Sequence, residues 1–197
     1  MSAHPSLYYA FYYRMKRLIP PLMTFLLGLQ AGHASEGDTI QLPEPNHRGI
    51  ALEEALRQRR TVREFSLQRV PTTALSQLLW SAQGVTSQRG LRTAPSAGAL
   101  YPLEIDVIVG VVAGLPAGVY RYRPDNHTLQ KVLGGDVRKE AARAALGQGW
   151  MADAPVLIII NAVARRTERK YGKRAELYVP VEAGAAAQNR SACRRQL

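Results

Sequence analysis

Residues 155–162 read PVLIIINA, a fully apolar stretch rich in β-branched residues. Such a run favours extended backbone and needs cover on both faces, so it predicts a buried central strand. The segments around it supply the rest of a sheet domain. Ile105–Val109, Val119–Tyr122 and Leu129–Leu133 read as strands, and Pro124-Asp125-Asn126 as the turn between the last two. Residues 50–59 (IALEEALRQR) carry apolar side chains at 52, 55 and 56, the spacing of a helix. Pro71 opens a second helix with Leu75, Leu78 and Leu79 on one face, and Gly84 ends it. Residues 136–146 are Ala-rich and helical, and Glu168–Asn189 reads as two helical stretches joined near Tyr171-Gly172. No internal repeat is present. The mixture predicts an α+β or α/β sheet domain.

Composition narrows the class. A chain of 197 residues allows one domain with a tail at each end. Its 46% hydrophobic and 21% charged content excludes wholesale disorder and collagen-like repeats. Cys193 is the sole cysteine, so there is neither a disulfide framework nor a Cys-based metal site. The net charge of +11 invites a nucleic-acid reading, but three unopposed cations at each end leave only +5 for residues 35–189. A mildly basic enzyme surface is the better account of the runs around Arg57–Arg63 and Arg165–Arg174.

Both ends carry expectations of their own. Met15-Lys16-Arg17, the apolar run Leu18–Leu29 and the small residues Ala31-Gly32-His33-Ala34 follow the order of a secretory signal peptide. The run falls short of the ~20 residues that span a bilayer. Residues 1–14 fit no part of such a signal, so translation from Met15 and an exported, periplasmic protein are expected; the alternative is a cytoplasmic protein with an N-terminal arm. Residues 35–48 are polar and contain Pro43 and Pro45, which suggests a linker. At the other end the small-residue helix VEAGAAAQN gives way to the basic tail RSACRRQL, residues 190–197. One choice of codons, read in a shifted frame, continues the apolar periodicity as Leu-Cys-Leu-Gln-Ala-Ala-Ala. A frameshift near codon 190 is therefore expected, and resequencing tests it.

Three segments carry possible chemistry. In RRTVREF, Arg59, Thr61 and Arg63 alternate, so an extended backbone points two guanidinium groups and a hydroxyl one way, as an anion site needs. The plain alternative is a solvated charge cluster. In TAPSAGALYP, residues 93–102, prolines and Gly98 bracket a turn that lets a flat ligand approach the backbone, and Ser96 offers a hydrogen bond. The alternative is an ordinary rigid loop. In ERKYGKRAELYVPVEAGAAAQN, residues 168–189, Lys170 and Tyr171 set a cation beside a phenol, a possible proton donor and acceptor. The alternative is a surface Lys beside a core Tyr.

The wording and order of RRTVREF, APSAGALYPLEI, GVYRY, APVLIII and ERKYGKRAELYVPVEAGAAAQN resemble the nitroreductase family of flavin enzymes. The likeness covers about residues 49–189 and is nearest to the SagB-type branch, the thiazole/oxazole-forming dehydrogenases and their stand-alone relatives. It implies an α+β fold with a central mixed or antiparallel sheet flanked by helices, FMN as cofactor, and a homodimer with the flavin at the interface. The implied activity is hydride transfer between FMN and a small organic or azoline-like substrate, with NAD(P)H or another electron donor and no nucleic acid. By the same resemblance Arg59, Thr61 and Arg63 bind FMN, Thr61 standing where the family usually has Ser. Pro95, Ser96, Ala97 and Gly98 line the flavin ring, and Ala99-Leu100 follow as in the SagB-type branch. Lys170 and Tyr171 are the acid/base pair, and Glu182, Gln188 and Asn189 fall on the helix beside the flavin. No metal is implied. The family's last strand and the basic residues over the FMN phosphate fall beyond this chain's end, so an incomplete fold is expected. An inactive fragment unable to hold FMN, or an interaction remnant, is the alternative reading. A signal-like start points to a stand-alone oxidoreductase.

Overall fold

Alternating apolar and polar residues in the middle of the chain form an antiparallel meander. The computed structural model describes residues 39–46, 49, 51–66 and 68–193. In it β2 (Leu103–Val109), β3 (Gly118–Arg123) and β4 (Thr128–Gly134) pair in sequence. β1 (Thr39–Gln41) adds beside β4 and β5 (Val156–Ala162) beside β2, giving the order β1-β4-β3-β2-β5 with every pairing antiparallel. Helices flank this sheet, so the fold is the expected α+β type. The signal-like segment and the last four residues of the basic tail lie outside the described residues.

Register decides which face each side chain joins. Val107 lies opposite both Tyr120 and Ile158, and Ile105 opposite Ile160. That face packs on Leu75, Leu79 and Ala82 of α2 (Thr72–Gln83), all fully buried. Ile108 lies opposite Val119 and Leu157 on the other face. These meet Ala141 of α3 (Arg138–Ala144), Met151 of α4 (Trp150–Asp153) and Ala154 just beyond it. Pro71, with φ −61°, starts α2 by supplying helix-compatible backbone and no surplus N–H. Gly84 ends it.

Three sequence expectations change. The run 155–162 is not a central strand: β5 sits at the end of the described sheet, with β2 as its only strand neighbour there. Its residues 156–160 are all apolar because Val156 and Ile158 feed one core while Leu157 and Ile159 feed the other. Residues 35–48 are not linker throughout, since Thr39–Gln41 pair with β4 and Leu42 is buried. The small-residue helix does not break at Asn189. After α5 (Arg165–Tyr171) and a short 3-10 turn (Gly172–Arg174), α6 runs Ala175–Cys193. Cys193 is buried, and its Sγ lies 3.8 Å from Gln77 O as donor.

His127 locks the β3–β4 turn. Its Nε2 lies 3.1 Å from Pro43 O, which only accepts, so this nitrogen carries the proton. Ser76 Oγ also sits 2.7 Å from Nε2. Nδ1 then accepts the Tyr122 hydroxyl at 2.8 Å. Burial pushes the pKa of His127 below its ordinary value, against a smaller raising by Pro43 O and Glu44. Its neutral form thus stabilises the fold above the unfolded pKa of about 6.5, and that contribution is lost as pH falls through the folded value. The urea midpoint should drop between about pH 7.5 and about pH 5, and His127→Gln should flatten that drop. An unchanged pH dependence in the variant would remove His127 as its source.

Candidate functional site

The turn Thr93–Pro102 is held from both ends. Ala94 and Pro102 are buried. Thr93 N donates to Gly84 O at 2.9 Å and Thr93 Oγ1 to Trp80 O at 3.0 Å. From α6, Asn189 Nδ2 donates to Thr93 O at 3.1 Å, and Glu182 Oε1 accepts Ala97 N–H at 2.9 Å. Ser96 closes the turn on itself: its carbonyl accepts Ala99 N–H at 3.0 Å and its Oγ accepts Tyr101 N–H at 2.9 Å. Gly98, Ala99 and Tyr101 all have positive φ, at 63°, 54° and 43°. Two non-glycine residues in that region are strained and persist only because neighbours over-determine the backbone.

Lys170 and Tyr171, at the end of α5, come against this turn. A Cβ added to Gly98 would stand 2.8 Å from Tyr171 Oη and 2.9 Å from Lys170 Nζ. The phenol and the ammonium therefore converge on one exposed glycine. Tyr171 is set edge-on to Tyr178 of α6, with ring centroids 5.2 Å apart. That contact fixes the phenol while leaving its hydroxyl at the turn.

Arg59, Thr61 and Arg63 lie in exposed, irregular backbone after α1 (Leu52–Gln58). Arg63 Cζ lies 5.9 Å from the Trp150 ring centroid, and Phe65 packs with the same ring. No ion pair engages Arg59 or Arg63 among the described residues. The segment follows α1, which packs on α6, the helix that holds the turn. The structure thus gathers Pro95–Gly98, Lys170, Tyr171, Glu182 and Asn189, while Arg59, Thr61 and Arg63 lie exposed in the irregular segment after α1. Glu182 is 5% exposed and spends its carboxylate on the turn; Gln188 faces solvent. Guanidinium groups without a carboxylate partner among the described residues and a turn lacking one Cβ suit an anionic, flat cofactor such as FMN.

Sequence reasoning missed a polar chain on the sheet. Arg121 reaches Asp106 through Nε at 2.5 Å and Nη2 at 3.1 Å, and Asn161 Nδ2 donates to the same carboxylate at 2.6 Å. Arg121 Nη1 donates to Glu104 Oε2 at 2.5 Å. Arg166 Nη2 donates to Glu104 Oε1 at 2.6 Å, and its Nη1 to Tyr101 O at 3.2 Å. The signal was present: Glu104 and Asp106 alternate with apolar neighbours in LEIDV, and Arg121 lies in the next strand.

The sequence profile described as the nitroreductase family matches residues 56–191. A Methanocaldococcus jannaschii protein called nitroreductase MJ1384 is 46% identical over 78% of this chain and 77% of its own length. The crystal structure of a Ralstonia eutropha JMP134 protein, named a nitroreductase, superposes with TM-score 0.68 at 32% identity. It covers 84% of this chain and 74% of that one. A chain of the Escherichia coli microcin synthetase McbBCD complex, with truncated pro-MccB17 bound, has TM-score 0.57 at 18% identity and covers 100% of this chain and 69% of that one. That last likeness is one of fold.

Proposed function

Because the chain belongs to the nitroreductase family, we propose that it is an FMN-dependent oxidoreductase acting on a small organic substrate. The observation that carries this reading is the convergence of Lys170 Nζ and Tyr171 Oη on Gly98. When bound, FMN accepts or returns a hydride. Arg59, Thr61 and Arg63 would hold its anionic parts, and Pro95–Gly98 its ring. Lys170 or Tyr171 would give or take the proton that accompanies the hydride, since both heads reach the surface where the ring would lie. Asn189 and Glu182 act through the turn rather than on the cofactor, because both bind its backbone. Within the family we favour the SagB-type branch and an azoline-like substrate, on the Lys170-Tyr171 pair and the SAGAL wording of the turn.

The same proposal includes a homodimer. Leu52 and Leu56 on α1 and Leu177 and Val181 on α6 are large exposed apolar side chains, 46–72% exposed, on two helices that pack together. Such a patch marks an interaction surface. NAD(P)H is the proposed electron donor, and export from Met15 the proposed route.

The first test is flavin binding. Arg63→Ala should weaken FMN about tenfold to a hundredfold, the worth of one charge-assisted hydrogen bond, read by quenching of flavin fluorescence. Unchanged affinity would remove Arg63 from the cofactor site. A wild-type chain that binds no FMN would favour the interaction-remnant reading.

A further inference from the structure

We propose that Arg166 and Glu104 form a positioning latch that sets where Lys170 and Tyr171 stand against the Gly98 turn. This rests on the assignment of that pair as the proton-moving groups. α5 is short, and no side chain caps its N-terminus. Its placement must come from tertiary contacts. Arg166 is its second residue, and Lys170 follows one turn later on the same face. The Arg166 guanidinium spans the two parts of the site. One arm reaches Glu104 Oε1 at 2.6 Å, on the strand that leaves the turn. The other reaches Tyr101 O at 3.2 Å, within the turn.

Glu104 is itself anchored. Its second oxygen accepts Arg121 Nη1 at 2.5 Å, and Arg121 is held by Asp106, which is buried. The path from the sheet to α5 therefore runs Asn161–Asp106–Arg121–Glu104–Arg166, and every link is a hydrogen bond. Among the described residues, Arg166 ties that path to the strained backbone at Tyr101. Without the latch, α5 would keep its packing on α6, the Val163 N–Pro102 O hydrogen bond and the Tyr171–Tyr178 contact, but lose the side-chain tie between its first turn and the Gly98 turn. A displacement near 1 Å is enough to cost about a hundredfold in a step that depends on proton position.

The experiment compares Arg166→Ala, Arg166→Lys and Glu104→Gln with the wild-type chain loaded with FMN. Five quantities are read: FMN affinity, thermal midpoint, kcat and KM with a nicotinamide donor and a nitroaromatic acceptor, and amide hydrogen exchange over residues 96–101 and 165–171. Arg166→Ala should lower kcat ten- to a hundredfold, leave FMN affinity within about twofold, and raise exchange in both segments. Arg166→Lys, which keeps the ion pair, should recover part of kcat, and Glu104→Gln should fall between. A lowered thermal midpoint with normal kcat per flavin-loaded molecule would overturn the proposal, as would unchanged exchange at the turn. A wild-type chain without turnover would sink the oxidoreductase reading, and the exchange experiment would still decide the latch.

Discussion

Lys170→Met and Tyr171→Phe should each lower turnover by about a hundredfold to ten-thousandfold, the usual worth of a positioned general acid or base, while FMN remains bound. The Tyr171 hydroxyl and the Lys170 ammonium are the nearest side-chain atoms to a Cβ built on Gly98, with the Tyr171 ring edge just behind; removing an ammonium or a hydroxyl leaves the packing of Tyr171 on Tyr178 intact. Stability should therefore stay near wild type. The double variant discriminates further. If one group moves the proton and the other only orients it, the losses will not add, because residues acting as a unit show strong non-additivity. Single-turnover flavin absorbance, followed after mixing with donor and then acceptor, separates the two half-reactions. A variant pair with wild-type rates in both halves would refute the assignment.

Asp106→Ala should destabilise the fold by about 3–5 kcal/mol, the cost of breaking a buried ion pair by removing one partner. Asp106 is 3% exposed, both its oxygens are engaged, and Arg121 reaches it in two places. Removal leaves Arg121 half-buried with Glu104 alone and strands the Asn161 amide. Asp106→Asn keeps shape and one acceptor, so it should cost less. Urea unfolding followed by tyrosine and tryptophan fluorescence measures both. A loss below about 1 kcal/mol for the alanine variant would place the pair among weak surface contacts.

Much of this architecture is readable one residue at a time. The three-leucine face of α2, Pro71 before it and Gly84 after it are local signals, and the helix follows them closely. The meander strands differ from their expected bounds by a residue or two. What escaped is non-local. Position within a sheet is not written in a strand, so β5 looked central because two-sided burial leaves the same apolar mark whether or not both edges are paired. β1 is three residues long and polar at both ends, too brief for any period to show. At the site, the Lys-Tyr pair and the glycine turn are picked out by side-chain chemistry and by the family resemblance, and the structure brings them together. The bond from Ala97 N–H to Glu182 is not legible because it depends on which face of α6 meets the turn. Glu104 and Arg166, sixty-two residues apart, have no relation in the sequence until β2 and α5 are folded against each other.

The inner face of α6 has a consequence for how this protein can change. Val179, Glu182, Ala186 and Asn189 recur at helical spacing: two fill the core with Ala94 and Leu103, and two grip the turn. Mutational drift along that face cannot alter ligand preference without also eroding foldability, so selection for new substrates is channelled elsewhere. The tip of the turn and the solvent side of α5 are the positions with latitude. A library randomised there should retain many folded members, whereas one of equal size on the inner face of α6 should retain few.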